Sequence, residues 1–339
     1  MSNELKQILW VTGKGIENRD FKEEALEFGL ELTICDCWDD AFHVLNEDFA
    51  KWSAIILQPK SKLHGGSMKN VMQFLPQAFA DINVLSVTKG KTLPWYLLTN
   101  IDESEFVDIV LESRVKWDSA WSKPYYDSSI KEERLMLFKR IKDQTQLNEK
   151  LQVKTGQYKK VFDALEYLYG HSLNPRTGEI IENLLVSICF GNNGSMKFGV
   201  LREVIENIFH SMITNNLMPY LPNASNRLNN NACSRLLSNM DVTINGIHYK
   251  ASTPIMNKMM ASNLFRLLIL GNTGSHAIHD NDTLQLEEYI TDSNTNYFLN
   301  SCALQLCDII LWYEGVVKGA ESQKLEQGKV VQWWIQNQV

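Results

Sequence analysis

Nowhere in the chain do roughly 18 apolar residues run without interruption, the length a membrane-crossing helix needs, so no membrane partner is expected. The opening text MSNELKQILWVTGKG lacks the basic-then-apolar layout of an export signal, and a cytoplasmic location is the expectation. Cysteine is sparse and scattered: of six, only Cys35/Cys37 and Cys302/Cys307 lie close together, and neither pair has a second pair at zinc spacing. They are read as reduced core thiols. The seven histidines form no HExxH, and the nearest approach to a cluster is His276 with His279, one helical turn apart. No metal site and no cofactor is therefore expected. No internal repeat or low-complexity segment is evident, and disorder of the chain as a whole is not expected.

What is present is ordinary globular material. At 339 residues with 44% hydrophobic and 22% charged side chains, the chain is long enough for two cored domains. The net charge of −7 is unevenly spread: residues 1–125 carry 13 basic and 19 acidic side chains, whereas 128–160 carry 9 basic and 4 acidic. That positive island is either a solvated helical connector or a surface for phosphate backbones.

Strand-length apolar runs QILWVT (7–12), ELTICDC (31–37) and SAIILQ (53–58) alternate with helical spacing in FKEEALEFGL and AFHVLNEDF, which predicts β-α-β-α-β. Gly29 closes the first helix, and Asp39 or Asp40 is placed to cap the second. The fourth strand is either INVLSV or WYLLT (95–99). WYLLT is preferred, with INVLSV as an extension before it and VKWDSAW as the fifth strand, ending at Ser122-Lys123-Pro124. A doubly wound α/β domain with a five-stranded parallel sheet is expected over 1–127.

From 128 to 160 the text reads as a basic helical linker, and 161–339 as a mainly α-helical domain. IIENLLVSICF forms one helix. Val200, Leu201, Val204, Ile205, Ile208 and Phe209 share one face of another, and two more fall near 255–270 and 295–316. Asn245-Gly246 between VTI and IHY predicts a small β-hairpin. The final VVQWWIQNQV is an added strand or a helix docking on a partner, with packing inside the chain preferred.

Over residues 5 to about 125 this order resembles the receiver domain of two-component response regulators, a flavodoxin-like fold. The family's pattern implies an acid pair after the first strand, an acceptor aspartate after the third, a hydroxyl ending the fourth and a Lys-Pro after the fifth. The matching places here read Thr12-Gly13, Gln58, Thr99 and Lys123-Pro124. A glutamine amide is no nucleophile for phosphoryl transfer, and Thr-Gly gives Mg²⁺ no carboxylate. The resemblance implies a degenerate pocket: a pseudo-receiver kept for docking or dimerisation. Two other readings are a plain open sheet and a ligand sensor using Gly13-Lys14-Gly15 as a phosphate turn.

The segment LFRLLILGNTGSHAIHD, with the helix LREVIENIFHSMI, resembles HEPN helical domains of bacterial defence and toxin proteins, over roughly 155–320. In that family's ribonucleases an arginine precedes Asn-x3-His. Asn272 and His276 match, but Gly271 stands in the arginine's place; Arg266, five residues earlier, and His279 are the remaining candidates. Three readings stay open: a helix cap with a bonded histidine, RNA or nucleotide binding, and metal-independent RNA cleavage. The expectation for the whole is a phosphorylation-independent signalling or phage-defence homodimer with a protein partner. The alternative is a HEPN-type endoribonuclease toxin regulated by the receiver-like domain.

Overall fold

A computed structural model describes residues 5–12, 19–59, 61, 71–99, 125–190, 199–252, 255–273, 297–327 and 333–338. The chain divides into two units, Met1–Asn148 and Glu149–Val339.

In the first unit, short runs become strands of one sheet. These are β1 (Lys6–Val11), β2 (Leu30–Cys35), β3 (Trp52–Leu57), β4 (Trp95–Thr99) and β5 (Tyr126–Asp127). They form an all-parallel sheet in the order β2-β1-β3-β4-β5. The central ones, β1 and β3, are covered on both faces. Period-2 alternation sorts the side chains into two cores. Leu9, Val11, Ile55, Leu57 and Leu97 meet α2 (Trp38–Glu47) and α3 (Val71–Lys89). Ile8, Trp10, Ala54, Ile56 and Leu98 meet α1 (Arg19–Glu27) and the first half of α4 (Lys131–Thr155). The doubly wound five-stranded sheet expected from the sequence is the one observed.

Three local expectations differ. INVLSV is not an extended piece: it is the second half of α3, where Ile82 and Leu85 are buried while Val84 and Val87 are 63% and 84% exposed. A strand would put Ile82 and Val84 on one face; the observed split has the 3.6-residue period. The strand beside β4 is Tyr126–Asp127, after Lys123-Pro124, and VKWDSAW lies outside the described residues. Neither Asp39 nor Asp40 caps α2. The N-cap is Cys37, and both acids sit in the first turn, where the helix dipole favours them.

A largely buried ion pair ties α4 to α1. Arg134 Nε and Nη2 donate to the two carboxylate oxygens of Glu24 at 2.8 and 2.7 Å, and Nη1 donates to the Ser128 carbonyl at 2.9 Å. The guanidinium also stacks 4.6 Å from the Phe21 ring centroid.

The second unit is mainly helical: α5 (Lys159–Tyr169), α6 (Arg176–Phe190), α7 (Gly199–Thr214), α8 (Asn230–Leu237), α9 (Lys258–Thr273) and α10 (Tyr297–Gln327). Cys302, Ala303, Leu306, Ile310, Tyr313 and Val317 form the buried stripe of α10, and Leu201, Val204, Ile205, Ile208 and Phe209 that of α7. The hairpin stands where Asn245-Gly246 placed it. β6 (Val242–Ile244) and β7 (Ile247–Ala251) are antiparallel, and both turn residues have positive φ (52° and 75°), as a two-residue hairpin turn demands. The C-terminal text forms β8 (Trp334–Gln338), which adds to β7 to give a sheet in the order β6-β7-β8. No helix among the described residues is long and apolar enough to cross a membrane.

All six cysteines are free. Five are buried, and burial pushes Cys35 and Cys302 up to about 11 and Cys233 and Cys307 up to about 12. Cys189 on α6 departs from the expected core position and is exposed.

Candidate functional site

In open parallel sheets the crevice outside the carboxyl ends of the strands is where ligands bind. There the chain places Thr12 just after β1, Gln58 just after β3 and Thr99 as the last residue of β4. Thr12 Oγ1 donates to Gln58 Oε1 at 2.5 Å. The backbone locks the pair in place: Thr12 N–H donates to the Cys35 carbonyl and Gln58 N–H to the Val11 carbonyl, each at 2.9 Å. Thr12 and Thr99 are both buried.

Ser61, which sequence reasoning missed, is buried as well. Its hydroxyl donates to the Val11 carbonyl at 3.0 Å, and its N–H donates to the Gln58 carbonyl at 2.9 Å. Only its position after the third strand hinted at this role.

The edge thus brings Thr12 and Gln58 into direct contact, with Thr99 on the adjoining strand; Gly13 and Lys123 lie outside the described residues. Asp127 is opposite Thr99 in the sheet register, but its carboxylate accepts from the backbone and hydroxyl of Ser129. Among the described residues no group of three His, Cys, Asp or Glu side chains is arranged to hold a metal ion. A neutral hydroxyl–amide pair offers neither the carboxylate nucleophile of aspartyl phosphorylation nor charge for a divalent cation.

The second constellation is placed only in part. His276 and His279 lie outside the described residues, as does the Asn272 side chain, although its backbone continues α9. Arg266 is exposed, with its guanidinium 5.8 Å from the Phe298 ring centroid. Gly271 is buried where α9 crosses α7. A Cβ built on it would lie 2.5 Å from Arg202 Cβ and 3.1 Å from Arg202 N. The glycine standing in the arginine's place is therefore a contact point between helices, and a side chain there has no room. Next to it, Arg202 Nε donates to Glu206 at 2.6 Å, and Asn230 at the start of α8 donates to the same carboxylate oxygen.

A further cluster had no sequence signal, because His171 and Glu321 are 150 positions apart. His171, in the turn after α5, meets the Tyr167 carbonyl through Nδ1 at 3.0 Å and Glu321 Oε1 through Nε2 at 2.9 Å. Tyr167 Oη donates to the other Glu321 oxygen. Both ring nitrogens face acceptors, so the arrangement favours the imidazolium. The Glu321 carboxylate, and then the Tyr167 carbonyl, raise the His171 pKa. Glu321 is lowered, first by the Tyr167 hydroxyl and next by His171. Beneath the cluster, Ser211 on α7 and Asn215 just after it both donate to the His171 carbonyl, and Ser211 shares a hydrogen bond with Tyr313 of α10.

The site and fold define a two-unit chain: a doubly wound parallel sheet with an uncharged hydroxyl–amide pair at its carboxyl edge, joined to a helical unit bearing a three-stranded sheet. No family model matches the chain, and no curated protein is significantly similar to it.

Proposed function

We propose that this chain is a response-regulator-like signalling protein that works without aspartate phosphorylation. Its parallel-sheet unit serves as a pseudo-receiver, and its helical unit as an effector or dimerisation module of a cytoplasmic homodimer. The observation that carries this reading is the Thr12–Gln58 hydrogen bond, which occupies the edge where an acceptor carboxylate and its metal would need to be. A receiver switches because a charged phosphoryl group is added at that edge; a neutral hydrogen-bonded pair carries no such charge and holds the edge in one state. Six free cysteines, five of them buried, suit a reducing compartment.

The test is incubation of the purified full chain with acetyl phosphate and Mg²⁺, followed by intact-mass measurement. The expected result is no phosphate uptake. A phosphate adduct mapped to an aspartate would overturn the proposal.

A further inference from the structure

Among the described residues the far edge of β8 has no partner strand, and it differs from the other edge of its sheet. β6 is three residues long and follows Asp241, whereas β8 is five residues long. Residues 330–339 contain no charged residue and no proline. Exposed edges are usually defended by a charge, a proline or shortness, and β8 has none of these. Among the described residues β8 pairs with β7 alone.

The register shows which backbone groups face outward. Ser252 N–H donates to the Trp333 carbonyl, and Ala251 is opposite Trp334. In an antiparallel ladder, hydrogen-bonded and non-hydrogen-bonded pairs alternate. Lys250/Ile335 and His248/Asn337 are therefore bonded pairs, while Ala251/Trp334, Tyr249/Gln336 and Ile247/Gln338 are not. The N–H and C=O groups of Trp334, Gln336 and Gln338 consequently point away from β7.

We infer that this edge is the interface between two copies of the chain, β8 pairing antiparallel with β8 across a twofold axis at Gln336. The inference rests on the homodimer in the reading above and supplies its surface. The register is self-complementary: with Gln336 opposite its own copy, Trp334 faces the partner subunit's Gln338, so all three outward-facing residues bond at once. The absence of charge lets like strands meet, since no ionic side chain confronts its own image. Two three-stranded sheets become one of six strands.

The decisive variant is Gln336→Pro. It deletes only an outward donor, and proline is tolerated in an edge strand whose N–H faces solvent, so the β7–β8 ladder survives. Light scattering of the full chain across a dilution series should show a dimer for the wild type. Gln336→Pro should dissociate about thirtyfold more readily, having lost one hydrogen bond from each copy. Gln336→Lys, which sets two ammonium groups face to face, should also weaken the dimer and recover at high salt, while Gln336→Pro should not. A wild-type chain that is monomeric at the highest concentration, or a dimer unaffected by both variants, overturns the interface. A monomeric wild type also removes the homodimer from the proposed function, a dimer unaffected by the variants removes only this interface, and neither outcome touches the phosphodonor assay.

Discussion

Gly271→Ala is a substitution for which two physical effects predict opposite signs. In a helix interior, alanine is favoured over glycine by about 1 kcal/mol, so propensity alone predicts a more stable protein. The packing predicts the reverse. The added methyl would sit 2.5 Å from Arg202 Cβ and 3.2 Å from Arg202 Cα, well inside van der Waals contact. The obstructing atoms belong to the start of a side chain and to backbone, so no rotamer change relieves them and α7 and α9 must part. Overpacking of this kind costs about 1–3 kcal/mol. The net expectation is a loss of up to about 2 kcal/mol, which for a unit of this size is up to about 8 °C in Tm. Thermal unfolding followed by circular dichroism reads it directly. A double-mutant cycle with Arg202→Gly, which removes the nearest atom, should show a favourable coupling between the two substitutions. Melting of Gly271→Ala above the wild-type temperature would refute the close-crossing argument.

Two further expectations concern charge. Arg134→Met leaves Glu24 buried without its fork and should destabilise the first unit by about 3 kcal/mol at neutral pH in urea denaturation. The Arg134 hydrogen bonds depress Glu24, so the wild-type advantage is present above the ordinary carboxylate range and should shrink as the pH falls through it. His171 has the opposite sign. Its folded-state pKa is raised, so its contribution is complete below the ordinary imidazole value and is lost as the pH rises through the raised one. The Tm gap between wild type and His171→Gln should therefore be widest in mildly acidic buffer and close at alkaline pH; a gap independent of pH would contradict the doubly bonded imidazolium.

Local chemistry made much of the architecture readable. β1 and β3 are legible because strands buried on both faces are written as unbroken apolar runs, and the hairpin because Asn245-Gly246 has few other uses. α3 was misjudged because Ile82, Val84 and Val87 are β-branched, while their burial follows the helical period. α8 escaped notice inside Asn- and Pro-rich text, although Asn229 caps it by accepting from the Ala232 N–H at 3.1 Å. At the sheet edge, Thr12 and Gln58 were found by their places after strands, but Ser61 had no pattern to mark it. The reason for Gly271 was out of reach, since it depends on Arg202, a residue of another helix that only the fold brings near.

The single exposed thiol gives the molecule a practical property. Five cysteines are sheltered and Cys189 alone is exposed, so the unmodified chain already offers one address for a thiol-directed dye or spin label. A probe attached there sits on α6 and reports on the helical unit with no residue changed.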